Sequence, residues 1–475
     1  MRLLFVTPEV TPYSGASPVG DACWALPKAL RARGHEVTIL APLYGFIDPS
    51  ARGLARRLRK VVTKLGDDVQ YAFEVYDART AAGIDVVFLG HEALFRPCRA
   101  VPTGADPEDG LRFGAFCRAA IEVAQNADKP FHVVHCHEWQ AALVPVLLRT
   151  SEVDDLGSVL TVHDVRGQGI FGPELVARLG LPRELFGIEG LEFFGKTCLL
   201  KGGVLYADRV TTVSPSYAKE ITRTGAGGLE GVFGKRGKEL VGITGGVDVA
   251  VWNPATDAYL EARFDPMDLS GKRRNKAALQ RELGLPIRDD VPLIGVLGPL
   301  HPSSGLDVLA RIVSRVMRND VQVAIVPEGQ PTDESLVTVL EEHSRRWPDR
   351  LVLRAQAGEA LVHRTLAGSD LVLVPPHQPP GGSLQMRAHR YGALPIGHAR
   401  GAVADTVVDC DAKLTTGNGF LCTSAEDEAV LAAVQRATAA FAMRSAFEKV
   451  RARAMRTDHS WERSAYLYER LYESI

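Results

Sequence analysis

The chain has 475 residues, 46% of them hydrophobic and 24% charged, a composition that suits a folded protein with ample core and excludes a long disordered segment. At roughly 100 to 200 residues per domain the length divides into two or three, and two large domains is the simplest count. Lys plus Arg number 55 against 57 Asp plus Glu, and the net charge of −2 leaves no footprint for nucleic acid or an anionic membrane.

In chain order, the apolar run at residues 3–6 stops at Thr7 and Pro8. Four residues are too few for the core of a signal peptide and predict a buried first strand, so a cytoplasmic protein is expected. The seven cysteines are scattered without metal-type spacing and read as reduced, mostly buried thiols. Residues 21–33 and 111–125 predict helices, and the basic run at 52–60 reads as the solvated face of another. Between them, residues 3–6, 36–40, 84–89, 133–135, 158–162 and 209–213 predict strands of a mostly parallel, buried sheet. His132, His135 and His137 alternate with Cys136 along one of these strands, and no metal is expected there. Residues 252–266 are rich in turn formers and predict a linker. After a helix at 272–283 the alternation restarts, with strands at 292–297, 321–326, 351–354, 371–374 and 393–396, and it closes on a helix in the last sixteen residues. The fold class is therefore α/β, two Rossmann-like doubly wound domains, with ligands expected in a cleft facing their strand ends.

Several segments in order, among them LLFVTPEVTPYS, ALPKALRARGHEVTILAPLY, VVHCHEWQAALVPVLLR, TVHDVRGQGIF, KGGVLYADRVTTVSPSYAKEI, NKAALQRELGLP and QMRAHRYGALPI, resemble the bacterial glycogen synthase and plant starch synthase family. The resemblance implies the GT-B architecture. Residues 1–250 correspond to the acceptor-side domain, 251–290 to a linker and connecting helix, 291–455 to the nucleotide-sugar domain, and 456–475 to a helix crossing back to the first domain. It also implies the reaction, transfer of glucose from ADP-glucose to an α-1,4-glucan with retention, without a cofactor or metal. The implied partners are glycogen, ADP-glucose or a related nucleotide sugar, and an active glycogen synthase, with no nucleic acid and no membrane.

The family's site residues carry over unevenly. His163 stands at the position that the family uses beside the reacting sugar. His137, Glu138 and Trp139 match its His-Asp-Trp on the acceptor side, with Glu for Asp. The phosphate-facing arginine and lysine of the family's first loop in the second domain are replaced by Pro299 and Ser304. The glutamate and cysteine of its Glu-Pro-Cys-Gly motif are replaced by Pro379 and Gly381, with Pro380 and Gly382 kept. Its Lys-Thr-Gly-Gly loop becomes residues 14–20, beginning at Ser14, and its Asn-Gly-Ile-Asp begins at Gly245. A departing diphosphate needs fixed positive charge, and each missing stabiliser costs roughly 2.7 to 4 kcal/mol. The expectation is an impaired or non-catalytic glucan-binding paralogue. The alternative is an active transferase whose phosphate clamp is rebuilt from Arg400, Gly401, Gly382 or Arg166.

Overall fold

The computed structural model describes residues 1–15, 17–66, 69–151, 155–301, 304–329 and 333–475. The chain divides into two compact units, one made of Met1–Gly245 with Trp461–Ile475 and the other of Gly246–Ser460.

The first unit carries β1 (Arg2–Val6), β2 (Glu36–Pro42), β3 (Ala55–Arg56), β4 (Val61–Lys64), β5 (Gln70–Arg79), β6 (Asp85–Gly90), β7 (Val133–His137), β8 (Gly157–Val162), β9 (Ile170–Phe171), β10 (Glu192–Phe193), β11 (Lys196–Cys198), β12 (Arg209–Thr212) and β13 (Leu240–Gly242). The main sheet runs β13-β12-β8-β7-β1-β2-β6-β5-β3, with β4 on β5. Every pairing from β13 to β6 is parallel, whereas β3, β4 and β6 meet β5 antiparallel. In β1, Leu3, Leu4, Phe5 and Val6 are all fully buried. Both faces of a parallel sheet are covered, which is why the run is apolar without alternation.

The basic run at 52–60 is not a helix. It is a turn followed by β3, which is held to β5 by Arg56–Glu74 and Arg57–Asp77 pairs. Charges of opposite sign placed across an antiparallel pair select the strand, and a run of like charges read in isolation does not reveal it.

The helix Pro18–Ala32 starts at an N-cap, where Ser17 Oγ accepts the Gly20 N–H at 2.9 Å. The last helix, Trp461–Tyr472, buries Ala465, Tyr468, Leu471 and Tyr472 in this unit. Glu469 on its other face pairs with Arg33 and, at 3.0 Å, with His35.

The second unit is built on β14 (Leu293–Leu297), β15 (Gln322–Val326), β16 (Leu351–Leu353), β17 (Leu371–Leu373), β18 (Leu394–His398) and β19 (Phe420–Cys422), in the order β16-β15-β14-β17-β18-β19. All five pairings are parallel. The predicted connecting helix is Ser270–Leu283, capped by Gly284 in the left-handed region at φ 77°, and it belongs to this unit. It is fixed by buried ammonium groups. Lys276 Nζ sits 2.7 Å from Asp370, and Lys272 Nζ donates to the carbonyls of Leu366 (3.1 Å) and Tyr391 (2.6 Å). No helix among the described residues is long and apolar enough to cross a membrane.

Each sheet gathers the loops that follow its strands at one edge, where open α/β sheets bind ligands. At that edge of the first unit lie the loop after β1, Glu138 after β7, and His163 and Asp164 after β8. The second unit places there Gly298 and Pro299 after β14, Glu328 after β15, residues 374–382 after β17, and Arg400 and Gly401 after β18.

Candidate functional site

In the first unit the site is built around β7. Its alternation sends His135 and His137 to one face, with ring centroids 4.3 Å apart, and Cys136 to the other. His132 does not join them, since it precedes the strand, is exposed, and accepts the Arg2 N–H on Nδ1. His135 Nδ1 meets the Tyr472 hydroxyl at 2.7 Å, and its Nε2 meets Thr161 Oγ1 at 2.6 Å. His137 Nδ1 lies 3.0 Å from His163 Nε2, so one ring donates and the other accepts. His163 is only 7% exposed, and burial lowers its pKa to about 4. At neutral pH it is an uncharged imidazole.

Glu138 has the left-handed φ of 64°, rare for a residue with a side chain. Its Oε1 accepts the N–H groups of His163 at 2.5 Å and Asp164 at 3.2 Å, which compensates for that conformation and fixes the turn carrying His163. Burial outweighs these hydrogen bonds and raises the carboxyl pKa to about 8. Glu138→Leu would strand two buried N–H groups and is expected to destabilise the protein by about 2 kcal/mol or more, with Glu138→Gln within about 1 kcal/mol of the parent. Calorimetric unfolding checks both.

Trp139 is 2% exposed and packs on Phe113 and Phe171 at 5.2 and 5.6 Å. A Cβ at Gly169 would come within 2.5 Å of its ring, so the glycine of Gln168-Gly169 is required by close approach as well as by its φ of 61°. His137, Glu138 and Trp139 are all buried, and they hold from beneath the turn that carries His163. Thr7 Oγ1 donates to Cys23 Sγ at 3.2 Å. That thiol and the rings of His137 and His163 each bring a ligand-type atom within 4.8 Å of the others, a grouping not anticipated from the sequence. These are the residues that would hold a soft cation in this unit. Burial pushes the thiol pKa far up, so a proton would have to leave first.

The substituted loops are internally satisfied. Ser14 Oγ bonds Val10 through its N–H (2.7 Å) and its carbonyl (3.1 Å), and Thr11 Oγ1 donates to Asp21 at 2.9 Å. Ala16 of this loop, like Pro302 and Ser303 in the first loop of the second unit, lies outside the described residues. Gly245 faces the Trp461 ring, which a Cβ would approach to 3.2 Å.

In the second unit Gly298 has φ 118°, and Pro299 after it is exposed. Ser304 is buried, with its Oγ accepting the Leu306 N–H at 3.3 Å and its carbonyl accepting the His377 N–H at 3.0 Å. The Pro379 carbonyl takes the Gly382 N–H at 2.8 Å, and the Pro380 carbonyl takes that of Ala402 at 2.9 Å. Gly401, at φ 50°, would bring a Cβ to 2.8 Å from the Pro380 carbonyl. The turn around Gly381 thus survives as a backbone frame. Arg400 is partly exposed and opens the helix Gly401–Thr406. Arg166, in the first unit, is committed to Asp164 by Nε–O distances of 2.8 and 2.9 Å.

The sequence reading missed Arg387 and Glu328. They pair at 3.0 Å although 59 positions apart, with the Arg387 guanidinium 4.6 Å over the Trp252 ring. Tyr391 is fully buried and donates to Asp257 at 2.5 Å, beside a His363–Asp257 contact of 2.7 Å. The strand order β15-β14-β17 of the second sheet would have suggested the first pair, since Glu328 follows β15 and Arg387 lies in the helix after β17. No local pattern points to it.

Two Rossmann-like units with these sheets define a GT-B glycosyltransferase fold. Residues 2–235 match the starch synthase catalytic domain. A glycogen synthase from Anaeromyxobacter sp. (strain Fw109-5) is 39% identical over 100% of this chain and 99% of its own length, and one from Geotalea daltonii is 35% identical over 100% and 99%. The chain belongs to the glycogen synthase family. Among solved structures, the catalytic domain of starch synthase IV from Arabidopsis thaliana, bound to ADP and acarbose, superposes with a TM-score of 0.90 at 28% identity, covering 99% of this chain and 98% of that one. A sucrose-phosphate synthase from Thermosynechococcus elongatus shares the fold at TM-score 0.60 and 16% identity, over 100% and 99%.

Proposed function

We propose that this chain is a glucan-binding member of its family in which transfer from the nucleotide sugar is strongly impaired. One observation carries the reading: the two positions expected to supply cations to the diphosphate hold an exposed proline, Pro299, and a buried serine, Ser304, whose uncharged hydroxyl accepts the Leu306 N–H. The neighbouring Pro379 offers neither charge nor a hydrogen-bonding side chain.

The alternative, a rebuilt clamp, is weakened by Arg166, whose guanidinium is engaged by Asp164. Arg387 is likewise engaged, by Glu328 and the Trp252 face. His163 remains neutral beside the strand ends, and its scaffold of Glu138, His137 and Trp139 is intact. The cellular setting that fits this reading is the cytoplasm, with glycogen as the ligand and an active glycogen synthase as the partner.

On native gels cast with glycogen the purified chain is expected to be retarded relative to its mobility without polysaccharide. Equal mobility in the two gels contradicts glucan binding.

A further inference from the structure

At the opposite edge of the second unit, where strands β14 and β17 begin, the helix Ser270–Leu283 and the helix Arg444–Met455 enclose a cavity of about 630 Å³. Its lining includes six Lys and Arg side chains against four Asp and Glu, an excess of two positive charges in a protein of net charge −2. Three of the cations are buried: Lys272, Lys276 and Arg451, at 2, 3 and 3% exposure. They share one buried carboxylate, Asp370, which takes Lys276 and Arg451 at 2.7 Å each. Arg451 also reaches the half-buried Glu448 at 3.0 Å. Among the described residues, Lys272 donates to carbonyl oxygens alone, and the buried Arg451 Nε has no hydrogen-bond partner.

Unbalanced buried charge is costly, and a protein relieves it by neutralising a group or by taking up a counter-charge. Burial, and after it the Arg451 charge, lower the Lys272 pKa well below its ordinary range, so without a counter-charge this is the group that gives up its proton, and an anion in the cavity would restore it. The cavity supplies room for the other solution, and its size falls within that of small-ligand sites. At the rim Arg273 and Arg444 are exposed. Guanidinium forks bind phosphate oxygens bidentately, as they do carboxylates, ammonium groups bind them as point charges, and a phosphate carries the larger negative charge to set against this excess.

We infer that this cavity is a second ligand site, for a small phosphorylated anion, on the side of the sheet away from the strand ends that carry Pro299, Pro379 and Arg400. It does not depend on whether the chain transfers glucose. An anion there would tie the connecting helix, the helix Arg444–Met455 and the start of β17 into one network, so its occupancy would be read as rigidity of the second unit.

Inorganic pyrophosphate is the probe. Calorimetric titration of the full chain at low ionic strength is expected to show one site of submillimolar affinity, roughly −4 kcal/mol or stronger. The rim variant Arg273→Ala/Arg444→Ala should weaken it by about tenfold or more while leaving the unfolding temperature unchanged. Arg400→Ala, at the other edge, should leave it intact. Hydrogen exchange should slow on pyrophosphate addition in the helices Ser270–Leu283 and Arg444–Met455. Absence of binding overturns the assignment, as does equal affinity in the rim variant, or loss of affinity in Arg400→Ala alone.

Discussion

Unfolding at pH 5 is expected to take up protons, and stability should fall as pH drops from 6.5 toward 4. Five histidines are held neutral by burial. In the first unit the pKa of His163 is lowered to about 4, and those of His135 and His137 lie well below the ordinary 6.5. In the second unit His389 is lowered to about 3 and His459 to about 4, with His389 Nδ1 2.9 Å from His459 Nε2. Each depressed value means that the unfolded chain binds the proton more tightly, so its contribution is present above pH 6.5 and is lost as pH falls through the folded value. Two carboxyls work in the other direction. Glu138 rises to about 8, and Glu9 is also raised, both by burial, so the folded chain holds their protons where the unfolded chain releases them. The lowered histidines outnumber the raised carboxyls, so net uptake is expected at pH 5, and each proton of difference adds about 1.4 kcal/mol per pH unit to the slope. Proton uptake across the whole transition, followed by unfolding in buffers of different ionisation enthalpy, measures it. Zero or net release would mean that these rings are solvated.

Asp370→Asn is expected to destabilise the second unit by about 3 to 5 kcal/mol, lowering its unfolding temperature by about 10 °C. Burial alone would raise the Asp370 carboxyl pKa, but Lys276 and Arg451 outweigh it and hold the group below its ordinary range. One oxygen also accepts the Leu293 N–H at 3.0 Å, at the first residue of β14. The amide keeps the shape and removes the buried carboxylate that pairs with Lys276 and Arg451 at 2.7 Å each. Scanning calorimetry should show a shift confined to one of two transitions. A shift below about 1 kcal/mol would mean that the cations are neutralised by another group.

Much of this fold was legible because its signal is local. The unbroken apolar runs of β1 and β14 can only be strands covered on both faces, and Gly284 after Leu283 marks a helix end. What the sequence concealed depends on pairing across distance. β3 is two residues long and exists because Arg56 and Arg57 meet Glu74 and Asp77 on β5. At the site, motif frames point to His163 and to the positions that depart from the family pattern. The left-handed turn of Glu138 has no local signal, because a carboxylate between His137 and Trp139 reads alike whether it lines a surface or braces a loop. Cys23 lies on a helix far in sequence from His137 and His163, and only the parallel order β7-β1-β2 brings it beneath them.

The proposed loss of fixed positive charge from the donor site sets the activity to be expected. Its most direct test is incorporation of radiolabelled glucose from ADP-glucose or UDP-glucose into glycogen, by the parent chain and by Pro299→Arg/Ser304→Lys/Pro379→Glu. The two absent cations correspond to roughly 5 to 8 kcal/mol if their effects add. The parent is therefore expected to fall at least about a thousandfold below an active family member, with partial recovery in the triple variant. Incorporation by the parent within about tenfold of an active glycogen synthase would contradict the account.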